Sequence, residues 1–132
     1  MDCFNFQYAV KFICGRSDGQ VLSPGEYFTA INIHNPTDST VVFRYKVAAA
    51  LPPPTSPPVF SNLKLEPDGA LEIDCPHILP DPGGFRKGFV VIESDVDLDI
   101  VAVYTVGGRS GQVSIHMERV APRRPMRLPQ PI

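Results

Sequence analysis

Residues 88–106 read GFVVIESDVDLDIVAVYTV, the most apolar stretch of the chain, interrupted once by Glu93-Ser-Asp-Val-Asp97. Val, Ile, Phe and Tyr suit a pleated, half-buried surface, while Ser and Asp favour turns through local side-chain hydrogen bonds. The stretch therefore predicts two strands, 88–94 and 97–106, closed into a hairpin by a tight turn near Asp95 and Val96. This hairpin is the expected core, and the rest of the chain is read for strands that pack against it.

Upstream, residues 4–14 alternate strictly, with Phe4, Phe6, Tyr8, Val10, Phe12 and Cys14 on one face. Period-two alternation marks a strand, and this one is longer than usual. Its first part, within residues 1–7, is expected to project as an arm. Glu26–His34 and Thr40–Val47 alternate likewise around Asn35-Pro-Thr-Asp-Ser39 and predict a second hairpin. Phe60–Glu66 and Ala70–Cys75, closed by Pro67-Asp-Gly69, predict a third. A last strand is expected over 112–120.

Between these lie LPPPTSPP (51–58), which cannot join a sheet ladder and reads as an extended crossover, and PHILPDPGGF (76–85), with room for one helical turn. Fifteen Pro and ten Gly in 132 residues agree with short strands and many turns. Eight or so antiparallel strands with two long crossovers predict an all-β fold. The expected form is a two-sheet β-sandwich of jelly-roll or immunoglobulin-like type, forming one domain over 1–120. Residues 121–132, APRRPMRLPQPI, form a Pro/Arg-rich tail.

Composition bounds function as well. The net charge of −2 gives no global pull toward nucleic acid or anionic membrane, so neither is an expected partner. No run reaches the roughly 18–20 apolar residues of a membrane-spanning helix, and no basic-then-apolar signal segment opens the chain. The default expectation is a cytoplasmic protein, with a surface location open to an assembled filament. Cys3, Cys14 and Cys75 make no CxxC pair. They read either as three reduced, buried thiols or as a Cys14–Cys75 bridge with Cys3 left for another subunit.

Catalytic and metal chemistry find no frame. Glu93, Asp95, Asp97 and Asp99 would share a face only in an unbroken strand, and they lack the spacing of a calcium loop. Cys75-Pro-His77 offers two ligands where a metal site needs more. Ser110 in GGRSGQ stands in no nucleophile elbow, and His34, His77 and His116 are scattered. No cofactor, metal or catalytic residue is expected.

The ends of the chain attract more interest. Pro122-Arg-Arg-Pro-Met-Arg127 matches a short ligand for an aromatic groove, and its cations also suit an acidic neighbour. We therefore expect a self-assembling structural subunit of a filament, sheath or shell. Its contacts would come from Cys3, Phe4, Phe6 and Tyr8 at one end and Arg123, Arg124, Arg127 and Leu128 at the other. Glu93, Asp95 and Asp97 would serve as the acidic surface that receives the arginines. The alternative is an oligomeric adaptor or a module for a carbohydrate, small ligand or protein, using loops 48–58 and 76–86.

One pattern spans much of the chain: INIHNPTDSTVVFRYKV (31–47), LKLEPDGALEID (63–74), then Ile92-Glu-Ser94 before a strand ending at Tyr104-Thr105. Over about residues 28–105 it resembles the small β-sandwich transducers associated with microbial sensory rhodopsins. The resemblance implies a similar sandwich and a homo-oligomer. The aromatic N-terminal strand and the Pro/Arg tail have no counterpart in that pattern, and no signalling role follows from it.

Overall fold

A computed structural model of the chain describes residues 4–50, 58–78, 84–108, 111 and 113–123. The crossover 51–57, loop residues 79–83 and tail residues 124–132 lie outside these. Eight strands are present: β1 (Phe6–Ser17), β2 (Gly25–His34), β3 (Val41–Ala49), β4 (Ser61–Leu65), β5 (Ala70–Asp74), β6 (Arg86–Ser94), β7 (Asp99–Gly107) and β8 (Val113–Arg119). A four-residue helix, α1 (Cys75–Ile78), follows β5. Every strand pairing is antiparallel, so the all-β class expected from the alternation holds.

Hydrogen bonding links all eight strands into one sheet, β4-β3-β6-β1-β2-β7-β8, with β5 also on β2. The link between its two halves is β1. Residues Phe6–Cys14 pair with β6, whereas Gly15–Ser17 pair with β2. Gly15 takes φ 104° at this change of partner, and a Cβ there would lie 2.4 Å from the Gly84 carbonyl oxygen. Only glycine permits both the left-handed backbone and that approach.

The alternation in sequence is explained by one core. Tyr8, Val10, Phe12, Ile31, Ile33, Phe43, Val90, Ile92, Ile100 and Ala102 are buried in a single cluster drawn from both halves. The strands before β8 turn most of their apolar residues toward it. Cys14 and Cys75 are joined in a disulfide with a Cα–Cα distance of 5.8 Å, tying the end of β1 to α1.

The three expected hairpins are corrected by the pairing. β2 bonds β1, β5 and β7 but not β3; β4 bonds β3 and not β5; β6 bonds β1 and β3 and not β7. All three turns carry the chain from one half of the sheet to the other. Alternation identifies which face of a strand is inward but says nothing of its neighbour. Here both edges of β6 and of β7 are already filled by other strands.

These crossing turns are held by specific polar groups. Asn35, fully buried, donates from Nδ2 to the carbonyls of Ser39, Leu65 and Glu66, and its own N–H donates to Gly69. It thereby fastens the β2–β3 turn to the β4–β5 turn. In the latter, Pro67 and Asp68 occupy the central positions and Asp68 takes φ 57°, as a type II turn requires at its second centre. At the β6–β7 turn the Leu98 N–H donates to the Tyr8 hydroxyl at 2.7 Å, and that hydroxyl donates to Asp97 at 2.5 Å. Burial, then the bond to Asp97, holds the Tyr8 phenol far above its ordinary pKa.

Candidate interaction surface

The strand β8 differs from every other element. All seven of its residues are exposed, and it pairs only with β7. Its register sets Val113, Ile115 and Met117 opposite Gly107, Thr105 and Val103, whose partners on β2 are Glu26, Phe28 and Ala30. The outward face of this half therefore carries a contiguous apolar patch. Exposure is 69% at Val113, 66% at Ile115, 64% at Met117 and 44% at Phe28. On the inward face Ser114, His116 and Glu118 also meet solvent, because β8 overhangs the core. His116 stacks on Tyr104 at 6.1 Å.

Among the described residues no strand occupies the outer edge of β8. An open edge bearing a row of apolar side chains templates pairing with another chain unless something covers it. Contiguous exposed apolar area of this kind is uncommon on monomers. The sequence predicts a last strand over 112–120, and nothing in it distinguishes a strand lying over the core from one beyond it.

The residues expected at the subunit interface separate into three groups. Tyr8 is fully buried and Phe6 packs against the core, so their side chains serve this chain's own interior. Phe4 lies under the Arg44 guanidinium, 4.6 Å from it. Arg123 forms an antiparallel bridge with Gln7, N···O 2.9 and 2.7 Å, and its Nε donates to Gln7 Oε1 at 2.9 Å. The start of the tail thus lies on β1 of the same chain. Cys3, Arg124, Arg127 and Leu128 lie outside the described residues.

The acidic surface also divides. Glu93 is 6% exposed, paired with Arg44 (Nη2 at 2.6 Å) and accepting from Gln7 at 2.8 Å, so it is not an open landing site. Asp97 is taken by Tyr8. Asp95 and Asp97 both remain exposed, the latter while accepting from Tyr8.

One cluster was not anticipated. His34 stands between two carboxylates, Nδ1 2.8 Å from Asp99 and Nε2 2.8 Å from Asp68. Arg119, the last residue of β8, approaches Asp99 from elsewhere at 3.9 Å. An imidazole can donate from both nitrogens only when protonated. Accordingly the bond to Asp99, then that to Asp68, raises the His34 pKa above its ordinary value. These residues are 34 and 65 positions apart, so only the folded chain brings them together. With both nitrogens held, this histidine has no lone pair to offer a substrate. Among the described residues no group of three or more His, Cys, Asp or Glu is placed to hold a metal ion.

No protein-family model matches the chain, and no curated protein matches it. Among solved structures it is similar to the crystal structure of Thermotoga maritima 1070, with a TM-score of 0.61 and 16% identity. The likeness covers 90% of this chain and 93% of the other, so the strand arrangement recurs from end to end. At that identity it speaks for the fold alone.

Proposed function

We propose that the protein is a non-enzymatic, self-associating β module, a homo-oligomer or filament subunit whose copies join at β8 and the apolar face beside it. The observation that carries this reading is the strand itself: every residue exposed, apolar side chains in a row, and one edge unfilled among the described residues. A second copy can fill that edge with backbone hydrogen bonds and cover the row of Val113, Ile115 and Met117. The resemblance of residues 28–105 to the sensory-rhodopsin transducers agrees with a homo-oligomer. A contact at β8 replaces the N-terminal strand as the main interface, because Tyr8 and Phe6 are committed to the core. If contacts repeat head to tail they close into rings or continue as filaments; if they are two-fold they stop at a dimer.

Light scattering on the purified full-length chain across a hundredfold concentration range tests the reading. A mass above that of one chain is expected at the upper end. A single-chain mass throughout contradicts it.

A second reading has one observation behind it. A hollow of about 410 Å³ opens beside the β1–β2 connection, lined by Arg16, Asp18, Gln20, Val21 and Phe85 among others. It would suit a small polar ligand, and calorimetric titration against a panel of sugars tests for it. Saturable heat would favour the adaptor or ligand-binding alternative over a purely structural role.

A further inference from the structure

The outward face of the β4-β3-β6-β1 half is ordered by antiparallel registry into rows two residues apart, about 7 Å at a strand rise of about 3.4 Å per residue. In sequence along the strands the rows hold Ile13 with Lys87; Lys11 with Phe89 and Ala48; Ala9 with Val91 and Lys46; Gln7 with Glu93, Arg44 and Asn62; and Val42 with Lys64. Each row contains one cation: Lys87, Lys11, Lys46, Arg44 and Lys64 in turn. They form a track crossing the face diagonally from β6 and β1 to the edge strand β4. The one anion within the rows, Glu93, is buried beside Arg44 and Gln7. Other carboxylates, Glu26, Glu72, Asp74 and Asp99, face outward on the opposite half.

The cations lie against rings. Lys11 Nζ is 4.8 Å from the Phe89 centroid, and Arg44 and Lys46 are 4.0 and 4.5 Å from that of Phe60. Such contacts hold the long side chains along the sheet and reduce the freedom they would lose on binding an anion. Phe89 stands in the second row of the track, beside Lys11, and is 43% exposed. A ligand that carries both negative charges and planar rings can use the lysines and Phe89 together, whereas an acidic peptide would use the charges and leave the ring idle.

We propose that this face binds single-stranded nucleic acid, with phosphates along the four lysines of the track, Arg44 being held by Glu93, and a base against Phe89. The chain's net charge of −2 does not oppose this at close range. Surface charges more than about 8 Å apart are largely screened at physiological ionic strength, so the local track decides. The surface lies on the opposite half from β8, and the inference is independent of self-association.

Fluorescence anisotropy of a labelled 12-nucleotide single strand with the full chain tests it. Saturable binding is expected at 50 mM salt. Four phosphate contacts give a slope of log affinity on log salt near about −2.8, a weakening of about fiftyfold between 50 and 200 mM. Lys11→Glu with Lys46→Glu should abolish binding at 200 mM, and Lys64→Glu alone should weaken it and flatten the slope. Phe89→Ala should weaken oligonucleotide binding at least fivefold, the low end of the stacking effect of about 1–3 kcal/mol, while leaving heparin binding unchanged. Ile115→Glu, on the other half, should bind as the parent does. No binding at 50 mM salt overturns the proposal. So does a 12-residue polyglutamate that binds as tightly as the oligonucleotide with no effect of Phe89→Ala, which would mark an acidic protein partner instead.

Discussion

The end of the molecule where the chain crosses between the halves of the sheet and the edge formed by β8 are built from similar strands to opposite effect. At the crossing end, polar groups, Asn35 and Tyr8 buried and His34 partly exposed, are matched with partners. Asn35 serves three carbonyls, the Tyr8 hydroxyl serves the β6–β7 turn, and His34 spans two carboxylates. At β8 an apolar row meets solvent and, among the described residues, one backbone edge is open. Buried, satisfied networks fix a unique fold, while an exposed unsatisfied edge costs solubility unless a partner takes it. The contrast assigns stability to one region and interaction to the other, and substitutions in the two should separate cleanly.

The largest stability loss is expected from Asn35→Ala. It strips hydrogen bonds from three carbonyls in a site with no exposure at Asn35 itself, at about 1–3 kcal/mol for each buried group left unsatisfied. Summed with partial relaxation, a loss of about 4 kcal/mol would lower the melting temperature by roughly 12–15 °C in a domain of this size. A fall under about 3 °C in calorimetry would show that the two crossing turns do not depend on this side chain.

Cys75→Ser comes next. The Cys14–Cys75 bridge spans a sequence separation of 61, and the chain-entropy account gives about 4 kcal/mol for a loop near that length, with strain and residual structure reducing it in practice. A melting temperature lower by about 10 °C is expected, together with a similar fall for the parent protein under reductant. No effect of reductant on the parent would mean the two sulfurs are not bonded in solution.

A smaller, pH-dependent effect follows from His34. Its folded pKa is raised by hydrogen bonds to Asp99 and Asp68, so the stabilisation is fully present below the ordinary pKa of about 6.5. It is lost as pH rises through the higher folded value. The protein should therefore lose melting temperature between pH 6 and 8.5, and His34→Gln should flatten that part of the profile. An unchanged profile in His34→Gln would show that His34 does not carry the effect.

Much of the fold was legible because alternation is a local property. The eight strand ranges follow from Val, Ile, Phe and Tyr set at period two and broken by Pro, Gly, Asn and Asp. The partner of each strand was not legible. GFVVIESDVDLDIVAVYTV reads as a hairpin, yet its two strands lie in different halves because β1, β3, β2 and β8 compete successfully for their edges. The His34 cluster and the cation track share that origin. Lys11, Lys46, Lys64 and Lys87 lie far apart in the sequence, and pairing alone brings them onto one face. Net charge, an average over the chain, conceals such segregation.

β8 remains the point at which the account is most exposed. Sedimentation equilibrium of the full chain should be compared with Ile115→Glu/Met117→Glu. Both positions are exposed, so the melting temperature of the single chain should move by no more than about 2 °C. The account predicts that the parent sediments as an oligomer and the double variant as a single chain. An oligomer of unchanged mass in the variant, with the fold intact, would contradict it.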